Sequence, residues 1–209
     1  NIGNLISKVF YRGIIDTGCN DDEKRHGLSR YVGKSIVWFD TSANKKKSQK
    51  RTKGGSYINE EEKRIILEIL DDLKSTGELK GLDIGIITGY SGQKELLRKS
   101  IKATGLDKIA SKIDINTLDA FQGRENDIII YSTVRTRDSI GFQKEKERVN
   151  VAFSRAKKLL IVCGDKNFFY NFDDQDNKFV EIIDYISEEE ECEIIQCDGG
   201  KLFERESNS

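Results

Sequence analysis

Residues 59–74 read NEEEKRIILEILDDLK, and residues 83–88 further on read DIGIIT. In the first stretch Asn59 stands where a helix cap belongs and acids fill the first turn. Ile65, Ile66, Ile69, Leu70 and Leu73 recur at helical spacing behind them, which predicts an amphipathic helix. In the second stretch the apolar residues are nearly consecutive, as in a strand covered on both faces. Such a helix set between two such strands is a crossover unit. Working outward, the same alternation continues through strand-like runs at Ser35 to Phe39, Ile84 to Thr88, Ile113 to Leu118, Asp127 to Val134 and Leu159 to Gly164. Further helices are predicted over Ser91 to Ala103 and over Glu145 to Ala156. Strands joined by helical crossovers predict a three-layer α/β fold with a mainly parallel central sheet.

The flanks divide the chain into 1–34, 35–170 and 171–209. Ile2, Leu5, Ile6, Val9, Phe10 and Tyr11 predict a short helix on the sheet edge. The last part reads as an extension with a helix near 178–187 and a strand near 193–197. The stretch Thr41 to Gly55, with Lys45, Lys46, Lys47, Lys50 and Arg51, is polar and turn-rich and predicts a mobile, solvated loop.

Composition narrows the function. The 209 residues carry 35 Lys and Arg against 36 Asp and Glu, a net charge of −1, so any site for a polyanion must be local. The longest apolar runs are strand-sized, and neither a membrane span nor a signal peptide is written in the chain. Cys19, Cys163, Cys192 and Cys197 are scattered without zinc-ligand spacing, which predicts no metal site, reduced thiols and a cytoplasmic protein. The single histidine, His26, supports no catalytic triad and is expected at the surface. The chain starts at Asn1 and contains neither methionine nor proline, so it reads as a piece of a longer protein. No Gly-x-x-x-x-Gly-Lys-Ser/Thr occurs; Gly33-Lys34-Ser35 lacks the first glycine, since position 28 is leucine.

In doubly wound sheets ligands gather at strand exits. Thr88-Gly89-Tyr90-Ser91-Gly92-Gln93 follows one apolar run, Asp119 to Glu125 another, and Arg135-Thr136-Arg137 a third. In Gln122-Gly123-Arg124-Glu125 the glycine admits a ligand close to the backbone, while Gln and Glu can bond sugar hydroxyls or a metal-bound water. An ordinary polar turn is the competing reading. Arg148 and Arg155, seven residues apart, are expected on one helix face, where paired guanidiniums suit phosphate. A salt-bridged surface is the alternative there.

Taken in order, three strings resemble motifs of the carboxyl-terminal motor domain of superfamily 1 helicases, in the branch that holds the nonsense-mediated-decay helicase and its DNA-processing relatives. Residues 84–93, IGIITGYSGQ, resemble motif IV. Residues 116–125, NTLDAFQGRE, resemble motif V, and residues 148–157, RVNVAFSRAK, resemble motif VI. The resemblance covers about Ser56 to Asn167, and the opening is similar to the segment after the family's Gln-Tyr-Arg motif. Gly89 departs from the family's usual proline, and Phe153-Ser154 from Leu-Thr.

The resemblance implies a RecA-like domain that closes on ATP from one side. A first RecA-like domain upstream would supply the phosphate loop and the Mg²⁺ carboxylates. Arg155 is then the arginine finger and Arg148 its support, while Gln93, Gly123 and Glu125 line the nucleotide side. Thr88, Gly89, Tyr90, Thr117 and Arg135 would contact the backbone of single-stranded DNA or RNA. Without the first domain the chain is not expected to hydrolyse ATP. The competing function is a non-catalytic nucleic-acid or nucleotide binding module on the same fold.

Overall fold

A computed structural model describes residues 2–14, 26–78, 81–106, 112–121 and 125–203. Six strands form the central sheet: β1 (Ile36–Asp40), β4 (Asp83–Thr88), β5 (Lys112–Thr117), β6 (Asn126–Ser132), β7 (Ala156–Gly164) and β8 (Cys192–Gln196). Their order is β5-β4-β6-β7-β1-β8, and every neighbouring pair is parallel. The consecutive apolar residues of β1 serve both faces at once. Ile36 and Trp38 enter one core, and Val37 and Phe39 the other.

On the second of these faces lie α2 (Glu60–Ser75) and α3 (Ser91–Thr104). The cap of α2 forms as its sequence predicts: the Asn59 side chain accepts from the backbone N–H of Glu61 and Glu62. Ile65, Ile66, Ile69, Leu70 and Leu73 are all fully buried against the sheet. At about 1.5–3 kcal/mol gross for each, this stripe contributes roughly 10 kcal/mol before ordering entropy is subtracted. The first face carries α1 (Ile2–Tyr11), α4 (Lys146–Phe153), α5 (Lys166–Tyr170) and α6 (Phe179–Glu188).

Four expectations need correction. Helix α1 packs on this face against α4, β7 and α6, not on the sheet edge. The edge beside β1 is taken by β8, and a helix with Ile2, Leu5 and Val9 in one stripe needs a broad apolar surface. The segment set apart as an extension completes the domain: β8 pairs with β1, and Phe179 packs on Trp38 and Phe169. Helix α4 stops at Phe153, because pairing with Asn126 at the start of β6 draws Ala156 into β7. The stretch 41–55 is built: Thr41, Asn44 and Gln49 are buried, and β2 (Lys50–Arg51) pairs with β3 (Tyr57–Ile58) as an antiparallel hairpin.

The turn 118–121 that leaves β5 lies on the first face over β4. A Cβ on Gly85 would lie 2.6 Å from both Phe121 Cζ and Ile129 Cδ1. A glycine is what lets this turn lie flat against the strand.

Candidate functional site

The residues singled out in the sequence fall at opposite ends of the sheet. At the amino ends of β6 and β7, Glu125 immediately precedes one strand and Arg155 the other. The Asn126 N–H donates to the Arg155 carbonyl at 3.0 Å, which binds the two entry points together. Glu125 is exposed and Arg155 half-buried. The Arg155 Nε–H donates to the Val151 carbonyl at 3.3 Å, and among the described residues no carboxylate comes within 4 Å of its guanidinium. Gly123, Gln122 and Arg124 lie outside the described residues.

Arg148 is placed differently. Its Nε is 2.8 Å from Glu145 Oε2 and 3.6 Å from Asp119 Oδ1, and its guanidinium stands 5.5 Å from the Phe142 ring centroid. Arg155 lies in the turn beyond α4, so the two arginines do not share one helix face as expected. One is committed to ion pairs, and the other keeps its terminal nitrogens clear of carboxylates.

At the carboxyl ends Thr88 pairs in register with Thr117 on one side and Ser132 on the other, so three hydroxyl residues form one row. Of the five expected nucleic-acid contacts, Gly89 and Thr117 are half-buried, and Thr88, Tyr90 and Arg135 are buried. Tyr90 packs edge to face on Tyr57 and tilted on Phe142, with centroids 5.6 Å apart in each case. Arg135 is 4% exposed; it stacks 4.1 Å from the Tyr57 centroid and donates to the carbonyls of Ser139 and Arg137. As it stands Arg135 shapes the strand exit instead of offering a free cation there. Phe142, 46% exposed, is the most open of this aromatic group, and Tyr57 is half-buried.

Gln93 is corrected as well. It is fully buried and both ends of its amide are engaged: Oε1 accepts from the Asn59 N–H at 2.8 Å, and Nε2 donates to the Asn59 carbonyl and to Ser132 Oγ. It ties the start of α3 to the start of α2. His26 also does more than sit at the surface: its ring bridges the Lys34 carbonyl and the Leu28 N–H.

Sequence reasoning missed the centre of this network, Glu62. Its carboxylate is fully buried and accepts from Ser132 Oγ at 2.6 Å, Thr133 Oγ1 at 3.1 Å and Asn59 Nδ2 at 3.2 Å. The Val134 N–H meets both of its oxygens, at 2.8 and 2.9 Å. To aim that N–H, Val134 adopts φ +68°, a conformation costly for a β-branched residue. Burial pushes the Glu62 carboxyl up to about 8 against the opposing pull of these hydrogen bonds. A signal was available: Glu62 heads the same stripe as Ile65, Ile66, Ile69 and Leu73, on the face that goes inward.

Among the described residues no group of His, Cys, Asp and Glu could hold a metal ion, and no helix is long and apolar enough to cross a membrane. Cys163, Cys192 and Cys197 are free and buried, and burial pushes their thiols upward.

Comparison with known proteins follows the same residues. The AAA domain family matches residues 1–167, which includes all three motif strings. An uncharacterized ATP-dependent helicase of Methanocaldococcus jannaschii is 38% identical over 68% of this chain and 20% of its own length. The DNA polymerase alpha-associated DNA helicase A of Saccharomyces cerevisiae is 36% identical over 62% of this chain and 19% of its own length. A regulator of nonsense transcripts 1 homolog from Neurospora crassa is 35% identical over 76% of this chain and 15% of its own length. The chain thus spans a fifth or less of these relatives. With the motif strings in order and the family match running through them, this chain of six parallel strands belongs to the AAA domain family.

Proposed function

We propose that this domain is the second half of an ATP-driven motor that moves on single-stranded nucleic acid, and that Arg155 is its arginine finger. The observation that carries the reading is the contrast between the two motif VI arginines. Arg148 is satisfied by Glu145 and Asp119, whereas among the described residues Arg155 has no carboxylate within 4 Å of its guanidinium. A guanidinium is planar, permanently charged and matched to phosphate oxygens, so one on a short turn between a helix and a central strand, with no carboxylate beside it among the described residues, is pre-positioned for charge that develops in phosphoryl transfer.

ATP is the substrate in this reading. The sequence holds no phosphate loop and the described residues no metal-ion cluster, so the first RecA-like domain is the expected source of both the phosphate cradle and the Mg²⁺ ligands. This chain's own part is to supply Arg155, with Glu125 and Gly123 on the ribose side. Arg148 acts as the strut between α4 and the 118–121 turn. The row of Thr88, Thr117 and Ser132, with Gly89 and Tyr90 beside it, forms the floor of the nucleic-acid path, and Arg135 braces its wall. Free buried thiols accord with work in a reducing compartment such as the cytoplasm.

The test is Arg155→Ala in the whole protein. Turnover of ATP falls by about 10³ while ATP affinity is nearly unchanged, because the interaction removed belongs to the transition state. Arg148→Ala, which removes a support, costs far less. Equal losses at the two positions, or a loss confined to ATP affinity, would refute the assignment.

A further inference from the structure

The segment 41–56 contains six basic residues and no acidic one, within a chain of net charge −1. Lys47 is paired to Asp165 at 2.7 Å. Lys45, Lys46, Lys50, Arg51 and Lys53 are exposed, and among the described residues none has a carboxylate within 4 Å. These charges are held in place. Thr52 and Ser56 close the turn of the hairpin through N–H to carbonyl bonding at 2.8 Å. Ser56 Oγ accepts from the Gly92 N–H at 3.0 Å, and a Cβ on Gly92 would lie 3.1 Å from the Tyr57 carbonyl. On the other side the buried Gln49 bonds Thr136 twice, with side chain to N–H at 2.9 Å and N–H to hydroxyl at 3.2 Å.

The hairpin is thereby fastened to the start of α3 and to the loop leaving β6, the two elements that carry Tyr90 and Arg135. Five like charges within nine residues favour an anion, even with Lys46 and Lys50 sharing a groove with Glu60, Glu61, Glu68 and Asp71 of α2. Beside them Tyr57, Tyr90 and the exposed Phe142 form an aromatic group. Cations interleaved with aromatic rings suit a chain of alternating phosphates and flat bases better than an acidic peptide.

We propose that residues 45–53 form a phosphate-binding wall for the backbone of single-stranded nucleic acid, extending the path past Tyr57 and Tyr90. The inference rests on the reading of the domain as a motor on single strands. Its recognition is of charge and carries no base preference.

The experiment measures binding of labelled oligo-dT and oligo-rU to the whole protein by fluorescence anisotropy, between about 50 and 200 mM salt. In the triple variant Lys50→Ala, Arg51→Ala, Lys53→Ala the slope of log affinity against log salt falls by about 2, at roughly 0.7 for each phosphate that is no longer neutralised. The charge-keeping variant Lys50→Arg, Arg51→Lys, Lys53→Arg retains the slope, and so does Lys99→Ala, Lys102→Ala on the outer face of α3. An unchanged slope in the triple alanine variant, with the unmutated protein binding normally, overturns the wall and leaves the motor reading intact. Absence of salt-dependent single-strand binding by the unmutated protein overturns both. Poly-glutamate binding that is lost in the triple variant while the oligonucleotide slope stays constant would reassign the hairpin to an acidic protein partner, and overturns the wall.

Discussion

Replacing Glu62 by glutamine separates the charge of the buried carboxyl from its shape. Glutamine keeps an oxygen that can accept from the Val134 N–H, and its amide can donate to Ser132 Oγ or Thr133 Oγ1, hydroxyls able to reverse their roles. With the amide nitrogen in the place of Oε2 it donates to Ser132, and the oxygen kept at Oε1 still accepts from Asn59; the conflict left is with the Val134 N–H, which loses one of its two acceptors, so the substitution itself costs about 1 kcal/mol. The informative part is pH. The folded carboxyl titrates near 8 and the free one near 4.5, so between those values the folded state binds more protons than the unfolded one. Stability attributable to Glu62 is therefore full below the lower value and declines as pH rises toward the upper one. At 1.36 kcal/mol for each unit of difference, the wild-type protein loses on the order of 3 kcal/mol relative to Glu62→Gln between pH 5 and pH 8. Urea denaturation of both proteins at pH 5, 6.5 and 8 gives the comparison directly. A difference between them that does not move with pH would show that Glu62 is ionised throughout, and that its hydrogen bonds outweigh its burial.

Other substitutions test the packing. Gly85→Ala places a methyl group 2.6 Å from Phe121 Cζ and Ile129 Cδ1 and should cost about 1–3 kcal/mol in the same denaturation assay; a neutral result would mean that the 118–121 turn does not rest on β4. Gly89→Ala should instead stabilise by about 0.4–1 kcal/mol, since its φ is not left-handed and the added Cβ meets Leu118 and Phe142 at an ordinary 3.8 Å. Destabilisation there would reveal a need for glycine that the backbone does not show.

What could be read in the chain was what is local. The cap and stripe of α2 and the doubly covered strands depend on spacings of a few residues, and they appear in the structure where periodicity put them. Arg155 and Thr88 were singled out by their neighbours in sequence. That Arg155 would leave the helix and stand at the amino end of β7 was not legible, because α4 ends where β7 must begin to pair with Asn126. Glu62 lies 72 positions from Val134 and Gln49 lies 87 from Thr136, so only the folded chain could turn an apparent helix-end acid into the centre of a buried network and an apparent loose loop into an anchored hairpin. Arg135 and Gln93 show the converse: side chains fit for a ligand were consumed by neighbours that the fold supplied. Periodicity is set by the backbone and is visible in one dimension, whereas burial and hydrogen-bond partners are set by which strands lie side by side, and that was decided only when the sheet closed its order.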